Sequence, residues 1–499
     1  MPKPVTYSDG NTPRICIIGA GFSGLCAAIK LKTELGLKTF VIYEGNDDVG
    51  GTWYSNTYPG CACDVPSHLY SFSFELNPDW SKNFSPQPEI LDYLRKVARK
   101  YELYSKIKFQ THVKSTTWDE SIRKWKVVLQ NKLTNQEEEQ IFDIVVSGPG
   151  ALRLPNIPNQ FKSFQGPWCH SAEWDSSIDL NNKVVGIVGS GTSAVQIIPS
   201  IAPKVKELHV FQRRSAWVLP RQQFEFPKFV KTLFSFIPFF MTLYRTFLYL
   251  SLEFRYYAFR ANSYFGKAAS KASIKFLKAQ IPDDSNLRQT LTPKFKFGCK
   301  RMLLTNDYYP ALNMPKTTIH TSTITEVGDN SFTMENGVTQ KLDVLILATG
   351  FLVQDFFAPL QIIGKDSANI LQKWKQSQPR LYYGIVSSET PNHFTLLGPN
   401  TALGHNTVVF MIECQVDFMI NLLREMINRD SKFVAVKEHV EEEYMESMKT
   451  KMTETVWGTE KCGSWYANNA GIITALWPKN CTSYWRETKA LDFAKFKFE

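Results

Sequence analysis

The stretch RICIIGAGFSG at residues 14–24 decides the fold of this 499-residue chain. An apolar run is followed by Gly19, Gly21 and Gly24 and then by an Ala- and Leu-rich segment, and a second apolar run at 38–43 ends at Glu44. This order predicts a strand, a glycine turn, a helix and a second strand, in which the helix N-terminus binds a dinucleotide pyrophosphate. Glu44 would then accept hydrogen bonds from ribose hydroxyls.

The same plan occurs a second time. The run at 183–188 leads into Gly189, Ser190, Gly191, Thr192, Ser193 and Ala194, followed by an apolar helical stretch at 195–202 and a strand at 207–211. Where the first unit ends at Glu44, the second ends at Arg213 and Arg214. A carboxylate would repel a 2′-phosphate, whereas Arg213 can bind one through two N–H donors. The second nucleotide is therefore predicted to be NADPH, and FAD is the partner that accepts its hydride.

The repeated plan predicts an α/β protein with two doubly wound, Rossmann-like dinucleotide-binding domains and a helical insertion. Apolar runs at 143–147 and 343–350 each follow an aspartate and are predicted to close the two sheets. The predicted boundaries are 1–150 for the first part of the FAD-binding domain, 151–222 for the linker and the first part of the NADPH-binding domain, 223–292 for the helical insertion, 293–380 for the second part of the NADPH-binding domain and 381–499 for the second part of the FAD-binding domain.

Composition narrows the class of protein. Hydrophobic residues make up 43% and charged residues 21%, as in an ordinary globular chain. The net charge of +10 comes from basic residues that are scattered along the sequence, which favours anionic small molecules or an acidic membrane surface over nucleic acid. Nine cysteines form no CxxC pair, so free thiols in a reducing compartment are expected. Residues 1–13 have no targeting pattern, and the predicted location is the cytoplasm.

The insertion contains an uncharged run at 232–244 that is interrupted by Pro238. This run is too short to cross a bilayer. Two interpretations stay open: the helices line a substrate cavity or pack on the sheet, which is favoured, or the 223–260 region makes a weak contact with a membrane surface, because Lys228, Lys231 and Arg245 flank it. The oligomeric state is open.

Two motifs make the interpretation more specific. GGTWYSNTYPGCACD at 50–64 and FQGPWCHSAEWD at 164–175 resemble the flavin-side motif and the FxGxxxHxxxW fingerprint of the type I Baeyer–Villiger monooxygenases. The resemblance covers nearly the whole chain. It implies an NADPH-consuming, FAD-dependent flavoprotein monooxygenase that uses O2 to convert a ketone into an ester or lactone through a C4a-peroxyflavin.

The resemblance also implies roles for individual residues. Arg301 matches the catalytic arginine, and Asp64 matches the acid that orients it. An arginine suits this role because it is a permanent cation that cannot protonate an anionic oxygen at neutral pH. Lys300 would supplement Arg213 at the 2′-phosphate, and Trp477 would fold over the nicotinamide side. The FAD contacts implied are Gly19, Gly21, Phe22, Ser23, Gly24, Glu44, Gly51, Thr52, Trp53, Asp64, Tyr70 and Val113, and Arg301 is also placed beside NADP.

Three alternatives remain at this point. A flavin monooxygenase that oxidises nitrogen or sulfur does not need the Arg301 and Asp64 pair. A dithiol reductase of similar design needs a cysteine pair near the flavin, which the spacing does not provide. A catalytically silent nucleotide-binding protein would lack any reaction of its reduced flavin with O2. Within the fingerprint, His170 is expected to act at a distance through the linker rather than as a proton donor.

Overall fold

The computed structural model describes residues 12–460 and 462–499. Its strands are β1 (Ile15–Ile18), β2 (Phe40–Tyr43), β3 (Ile107–Lys108), β4 (Thr111–Asp119), β5 (Lys124–Asn131), β6 (Glu137–Phe142), β7 (Ile144–Ser147), β8 (Trp168–His170), β9 (Val184–Val188), β10 (Glu207–Phe211), β11 (Val218–Leu219), β12 (Leu303–Leu304), β13 (Thr317–His320), β14 (Ile324–Val327), β15 (Ser331–Met334), β16 (Thr339–Lys341), β17 (Val344–Leu347), β18 (Gln361–Ile363), β19 (His393–Thr395), β20 (Val434–Val436) and β21 (Phe496–Phe498). Its α-helices are α1 (Phe22–Glu34), α2 (Thr52–Ser55), α3 (Gln87–Lys100), α4 (Thr192–Ile201), α5 (Lys228–Phe236), α6 (Pro238–Phe254), α7 (Tyr264–Gln280), α8 (Ser285–Leu291), α9 (Tyr308–Leu312), α10 (Ile370–Gln376), α11 (Val408–Asn428), α12 (Glu438–Met452), α13 (Val456–Thr459) and α14 (Cys481–Lys489).

Two five-stranded sheets form the two predicted nucleotide-binding units. Their strand orders are β19-β7-β1-β2-β3 and β13-β10-β9-β17-β8, and every pairing in both sheets is parallel. Strands β1, β7 and β17 are buried along their whole length, as expected of parallel strands that are covered on both faces. The predicted fold class, two doubly wound units, is confirmed.

An aspartate precedes β7 and another precedes β17, and each aligns its strand with a neighbour. Both strands are internal, with β19 and β8 at the edges beyond them, so the prediction that they close the two sheets is wrong. The Asp143 carboxylate accepts a hydrogen bond of 2.8 Å from the backbone N–H of Arg14, at the beginning of β1. The Asp343 carboxylate accepts one of 2.8 Å from the backbone N–H of Val184, the first residue of β9. Both units therefore have an acid before an apolar strand. Its carboxylate pairs with a backbone N–H of the neighbouring strand and so helps to set the register of the two strands.

Two chain crossings run side by side between the units. The N–H of Asn156 donates to the carbonyl of Gly350 at 2.8 Å, and the N–H of Leu352 donates to that of Leu154 at 2.9 Å. Beyond this point β18 pairs with β4 in the sheet β18-β4-β5-β6, and α10 packs in the same core. Residues 361–376 therefore lie with the first unit. The predicted boundary, which assigned residues up to 380 to the NADPH-binding domain, is too late in the chain. A three-residue strand carries no local signal of the sheet that it joins.

Helices α5 to α8 form the predicted insertion. In the described part of the chain no single helix is long and apolar enough to cross a membrane, and the bent pair α5 and α6 changes direction by 109° at its break. The positive charges are less scattered than the sequence analysis held. Helix α7 has four exposed lysines at spacings of three and four residues, which place them on one side of the helix: Lys267, Lys271, Lys275 and Lys278.

The cysteines correct another expectation. Cys299 and Cys462 form a disulfide across 163 residues of sequence, while the other seven are buried free thiols. No spacing rule could show this pair, because only the folded chain brings the C-terminal region beside residue 299. The expectation that all nine cysteines are free is therefore wrong for this pair. The cysteines no longer support a reducing compartment as the sequence analysis held.

Candidate active site

A cleft of about 2000 Å³ is lined by both nucleotide-binding units. Most of the residues that the sequence singled out line it: Gly19, Gly21, Phe22, Ser23, Glu44, Gly51, Thr52, Trp53, Asp64, Tyr70 and Val113 from the first unit and its motif loop, and Gly189, Gly191, Thr192, Ser193, Arg213, Arg214, Lys300 and Arg301 from the second. Three others, Gly24, Ala194 and Trp477, do not line it.

The first glycine turn gives the cleft an uncapped helix N-terminus. Gly19 has φ +93°, and a side chain there would meet the carbonyl oxygen of Gly148 at 2.6 Å. Gly24 is needed for a different reason, because a Cβ at this position would lie 1.8 Å from the carbonyl oxygen of Gly19. Helix α1 begins after Gly21 with no side-chain cap. The positive end of the helix is thus left for an anion that the backbone can approach closely.

Glu44 is fixed at the end of β2 by the turn that it faces. One carboxylate oxygen accepts a hydrogen bond of 2.7 Å from the N–H of Ala20, and the other accepts from the backbone and the side chain of Asn46 at 3.0 and 2.8 Å. The side chain is buried yet lines the cleft. A carboxylate held in this way has lone pairs left for ligand hydroxyls at a defined position.

The second turn gathers positive charge. Helix α4 also begins without a side-chain cap, after Gly191, and a Cβ on Gly191 would have no atom within 4 Å. Arg213 and Arg214 are exposed beside it. Burial, and then the charges of Arg214 and Arg213, lower the pKa of Lys300. Among the described residues none of these three cations forms an ion pair, so the cluster has room and charge for a phosphate.

Arg301 and Asp64 form a bidentate ion pair in the cleft. Nε of Arg301 donates to Oδ2 of Asp64 at 2.7 Å, and Nη2 donates to Oδ1 at 2.7 Å. The Asp64 carboxylate raises the pKa of Arg301, which keeps the guanidinium charged. The third nitrogen, Nη1, has no acceptor among the described residues. The pair thus fixes the plane of a permanent cation and leaves one nitrogen available.

The loop that contains Asp64 is held against the second unit. The hydroxyl of Tyr58 donates to the side-chain oxygen of Gln196 on α4 at 2.9 Å, and the side-chain nitrogen of Gln196 donates to the carbonyl of Ala62 at 2.9 Å. Gly60 makes this approach possible, because a Cβ there would lie 2.4 Å from the carbonyl oxygen of Gln196. Gln196 therefore positions the loop, and the sequence analysis did not identify it.

Trp477 does not line the cleft in this structure. Its ring packs edge-on against Tyr484 at 5.0 Å, and its indole N–H donates to the carbonyl of Asn480 at 3.1 Å. The side chain is fully buried in a cluster that includes Leu403, which does line the cleft, and the predicted contact with the nicotinamide stays a prediction. Ala194 is likewise buried, in the packing of α4. Trp465, which the sequence analysis did not name as a site residue, lines the cleft instead.

Arg153 is a second residue that the sequence analysis missed. It lines the cleft, and its guanidinium donates to the carbonyls of Phe357 and Ala358. Burial lowers its pKa, while the charge of Glu44 opposes that effect. A motif search has no means of finding this residue, because it stands in the chain crossing outside every motif.

His170 lies outside the cleft, at the end of β8. The side chain is buried in β8, and Nδ1 accepts a hydrogen bond of 3.0 Å from the N–H of Ala172. Burial lowers its pKa to about 4, so the imidazole is neutral at physiological pH. His170 therefore shapes the turn that places Trp174 in the cleft.

Two glycine turns of the dinucleotide-binding type open onto one cleft, one with the fixed carboxylate of Glu44 and the other with unpaired cations, and this pairing is typical of a two-nucleotide oxidoreductase. The chain matches the family model described as flavin-binding monooxygenase-like over residues 12–381. It is 38% identical over 96% of its length to a Baeyer–Villiger monooxygenase of Pseudomonas aeruginosa, 90% of which is covered, and 36% identical over 97% to one of Streptomyces coelicolor, 92% of which is covered. The chain belongs to the flavin-binding monooxygenase-like family, and the predicted resemblance to the Baeyer–Villiger monooxygenases within it is confirmed.

Solved structures agree with this assignment. Cyclohexanone monooxygenase from Rhodococcus sp. Phi1 bound to NADP+ is 26% identical with a TM-score of 0.84, covering 98% of this chain and 99% of that one. The OTEMO complex with FAD and NADP is 25% identical with a TM-score of 0.85 and the same coverage. The similarity extends over the helical insertion as well as both sheets, since almost the whole chain is covered.

Proposed function

We propose that the protein binds FAD and NADPH and inserts one atom of O2 beside a ketone carbonyl to give an ester or a lactone. NADPH provides two electrons, one oxygen atom enters a carbon–carbon bond next to the carbonyl, and the other oxygen atom leaves as water. The observation that carries this proposal is the bidentate Asp64–Arg301 pair in the cleft that both cradles share. The names of the curated relatives support it.

The residues at each cradle fit their cofactor. At the first, the uncapped α1 N-terminus would bind the FAD pyrophosphate and Glu44 the ribose. At the second, α4 would bind the NADPH pyrophosphate, and Arg213 and Lys300 the 2′-phosphate. The chemistry that bound FAD supplies is the activation of O2 at the expense of NADPH.

Arg301 stabilises the negative charge that develops on oxygen during the insertion. A guanidinium is too weak an acid to lose a proton at neutral pH, so it can hold an anionic oxygen without protonating it. A preorganised cation in a cleft stabilises developing charge more than water would, because it has no reorganisation to undergo. Asp64 keeps the guanidinium in one orientation through both of its oxygens.

The test is Arg301→Ala, with Arg429→Ala as a control that removes a surface arginine paired with Glu425. We expect Arg301→Ala to be reduced by NADPH, seen as bleaching of the flavin absorbance, and then to release hydrogen peroxide without making ester from a panel of linear, cyclic and aryl ketones. Ester formation at the control rate would refute the proposal. If a thioether is oxidised at an unchanged rate while no ketone reacts even in the unmodified protein, oxidation of soft nucleophiles is the function instead.

A further inference from the structure

An apolar stripe covers the outer side of the helical insertion. Helix α6 exposes large apolar side chains at steps of three and four residues, and α5 and the α5–α6 junction add more. The exposed set is Phe229, Leu233, Phe236, Ile237, Phe239, Phe240, Leu243, Phe247, Leu250 and Phe254. Folded chains rarely present an apolar surface of this extent to water unless it binds something.

The stripe is a fixed part of the fold, because the inner side of the same helices is already packed. Arg245 on α6 donates to the carbonyls of His68, Leu69 and Ser71 at 2.6, 3.2 and 3.0 Å. Phe234 and Tyr244 pack edge-on against the ring of His68 at 5.2 and 5.4 Å. Helix α6 thus has large apolar residues on its exposed side as well as on its packed side, where Met241, Leu248 and Leu252 are buried.

Aromatic contacts continue the stripe onto α7. Phe254 at the end of α6 meets Phe265 on α7 at 5.2 Å, and Tyr257 lies 5.5 Å from Phe254. The exposed lysines of α7 begin two residues beyond Phe265. One continuous surface therefore passes from exposed phenylalanines through tyrosines to lysines, the order found where a protein enters a lipid interface.

The charge of this segment identifies the partner. Residues 226–282 contain nine basic residues and one acid, a net charge of +8 out of +10 for the whole chain. The single acid, Glu253, is buried and accepts hydrogen bonds from the backbone of Thr482 and the side chain of Asn406. The nearest exposed acids along the chain are Glu225, Asp283 and Asp284, just outside the two ends of this segment. The apolar and cationic surface between them complements an anionic phospholipid bilayer. A second copy of this chain would present the same positive charge and repel it.

We propose that α5, α6 and the beginning of α7 insert into the headgroup and upper acyl region of an anionic phospholipid membrane, with the α7 lysines on the phosphates. Pro238 and the 109° bend let α5 and α6 lie in the interface rather than across it. The contact goes beyond the proposed oxygenation chemistry, since none of residues 215–299 lines the cleft.

The test is flotation of the full-length, FAD-loaded protein with two kinds of vesicle. One is phosphatidylcholine alone, and the other contains roughly 30 mol% phosphatidylserine to represent an anionic leaflet. We expect the protein to float with the anionic vesicles. The variant Phe236→Ser/Phe239→Ser/Phe247→Ser should stay in solution, while Leu133→Ser, which removes a side chain that is 76% exposed in the β5–β6 turn, should float unchanged. The variant Lys267→Ala/Lys271→Ala/Lys275→Ala should lose about 100-fold in affinity for anionic vesicles.

Melting temperature and flavin content of each variant show that it is folded. The proposal is overturned if the unmodified protein does not float, or if the phenylalanine variant floats as well as the unmodified protein. It is also overturned if light scattering shows a dimer that the phenylalanine variant dissociates while neither protein floats, because the stripe would then bind a second copy.

Discussion

Replacing Asp64 with Asn tests the ion pair more finely than removing Arg301. The aspartate accepts two hydrogen bonds of 2.7 Å, and its side chain is 19% exposed against 32% for Arg301. Charge-assisted bonds contribute about 1.5–3 kcal/mol each, and partial exposure places these at the lower end. Asparagine keeps one acceptor oxygen and loses the charge, so about 1.5 kcal/mol of orienting interaction disappears. That corresponds to roughly a tenfold loss in the rate of ester formation.

The assay separates reduction from oxygen insertion. Anaerobic mixing with NADPH measures flavin bleaching, which should not change, because Asp64 acts on Arg301 and not on the 2′-phosphate cluster. Ester yield per NADPH consumed should fall about tenfold, with the difference recovered as hydrogen peroxide.

The matched control for this substitution is Asp48→Asn. Asp48 pairs with Arg95 at 2.7 Å with exposures of 22% and 34%, and neither residue lines the cleft. Asp48 also accepts hydrogen bonds from the hydroxyl of Tyr104 and the N–H of Val49, so this substitution should cost at least as much stability without changing the yield. Equal slowing of bleaching and ester formation in Asp64→Asn, or an unchanged yield, would refute the reasoning.

Three further outcomes follow from the same structure. Arg213→Ala should raise the KM for NADPH about 10- to 100-fold while leaving the KM for NADH unchanged, because one charge-assisted phosphate contact is lost. Steady-state kinetics with both nucleotides measure this, and an equal rise in the two KM values would contradict the assignment of Arg213 to the 2′-phosphate. Burial holds the pKa of His170 at about 4, below its ordinary 6.5. Between these two pH values the unfolded chain therefore binds more protons than the folded one. The free energy of unfolding should fall by about 3 kcal/mol as the pH drops from 6.5 to 4. Denaturation across that range should show a shallower pH slope in His170→Asn, and an identical slope would count against it. Reduction of Cys299–Cys462, which closes a 163-residue loop, should destabilise the protein by up to about 5 kcal/mol; dithiothreitol should lower the melting temperature of the unmodified protein and have no such effect on Cys299→Ser.

The parts of the fold that the sequence predicts are those encoded locally. Glycines 19, 21 and 24 stand between an apolar run and a helix, and the turn itself requires two of them, because Gly19 has φ +93° and Gly24 approaches the carbonyl oxygen of Gly19. The strand at 207–211 was predicted to the residue, and α4 begins only three residues before its predicted start. Errors of this size are expected at helix ends, because the first turn has no periodicity of its own.

What the sequence could not predict depends on contacts between distant residues. Asp64 and Arg301 are 237 residues apart, and only the family resemblance joined them before the fold was known. The same resemblance singled out Trp477, whose ring packs against Tyr484 instead of lining the cleft, because a motif position does not fix what a ring packs on. The insertion shows the limit most clearly. An apolar helix is expected to be buried, and no feature of its composition reveals that half of α6 faces solvent.

Three consecutive residues link the parts of the site. Cys299 is bonded to Cys462, which stands three residues before Trp465 in the cleft wall. Lys300 belongs to the cation cluster. Arg301 is paired with Asp64 of the first unit. Neighbouring Cα atoms are about 3.8 Å apart, so a backbone displacement at one of these positions is passed to the next. A nucleotide phosphate bound at Lys300 would therefore restrain Arg301 through a single peptide bond. Retention of the oxidised nucleotide in the cleft would then keep the guanidinium in place during oxygen insertion, after the hydride has already been transferred.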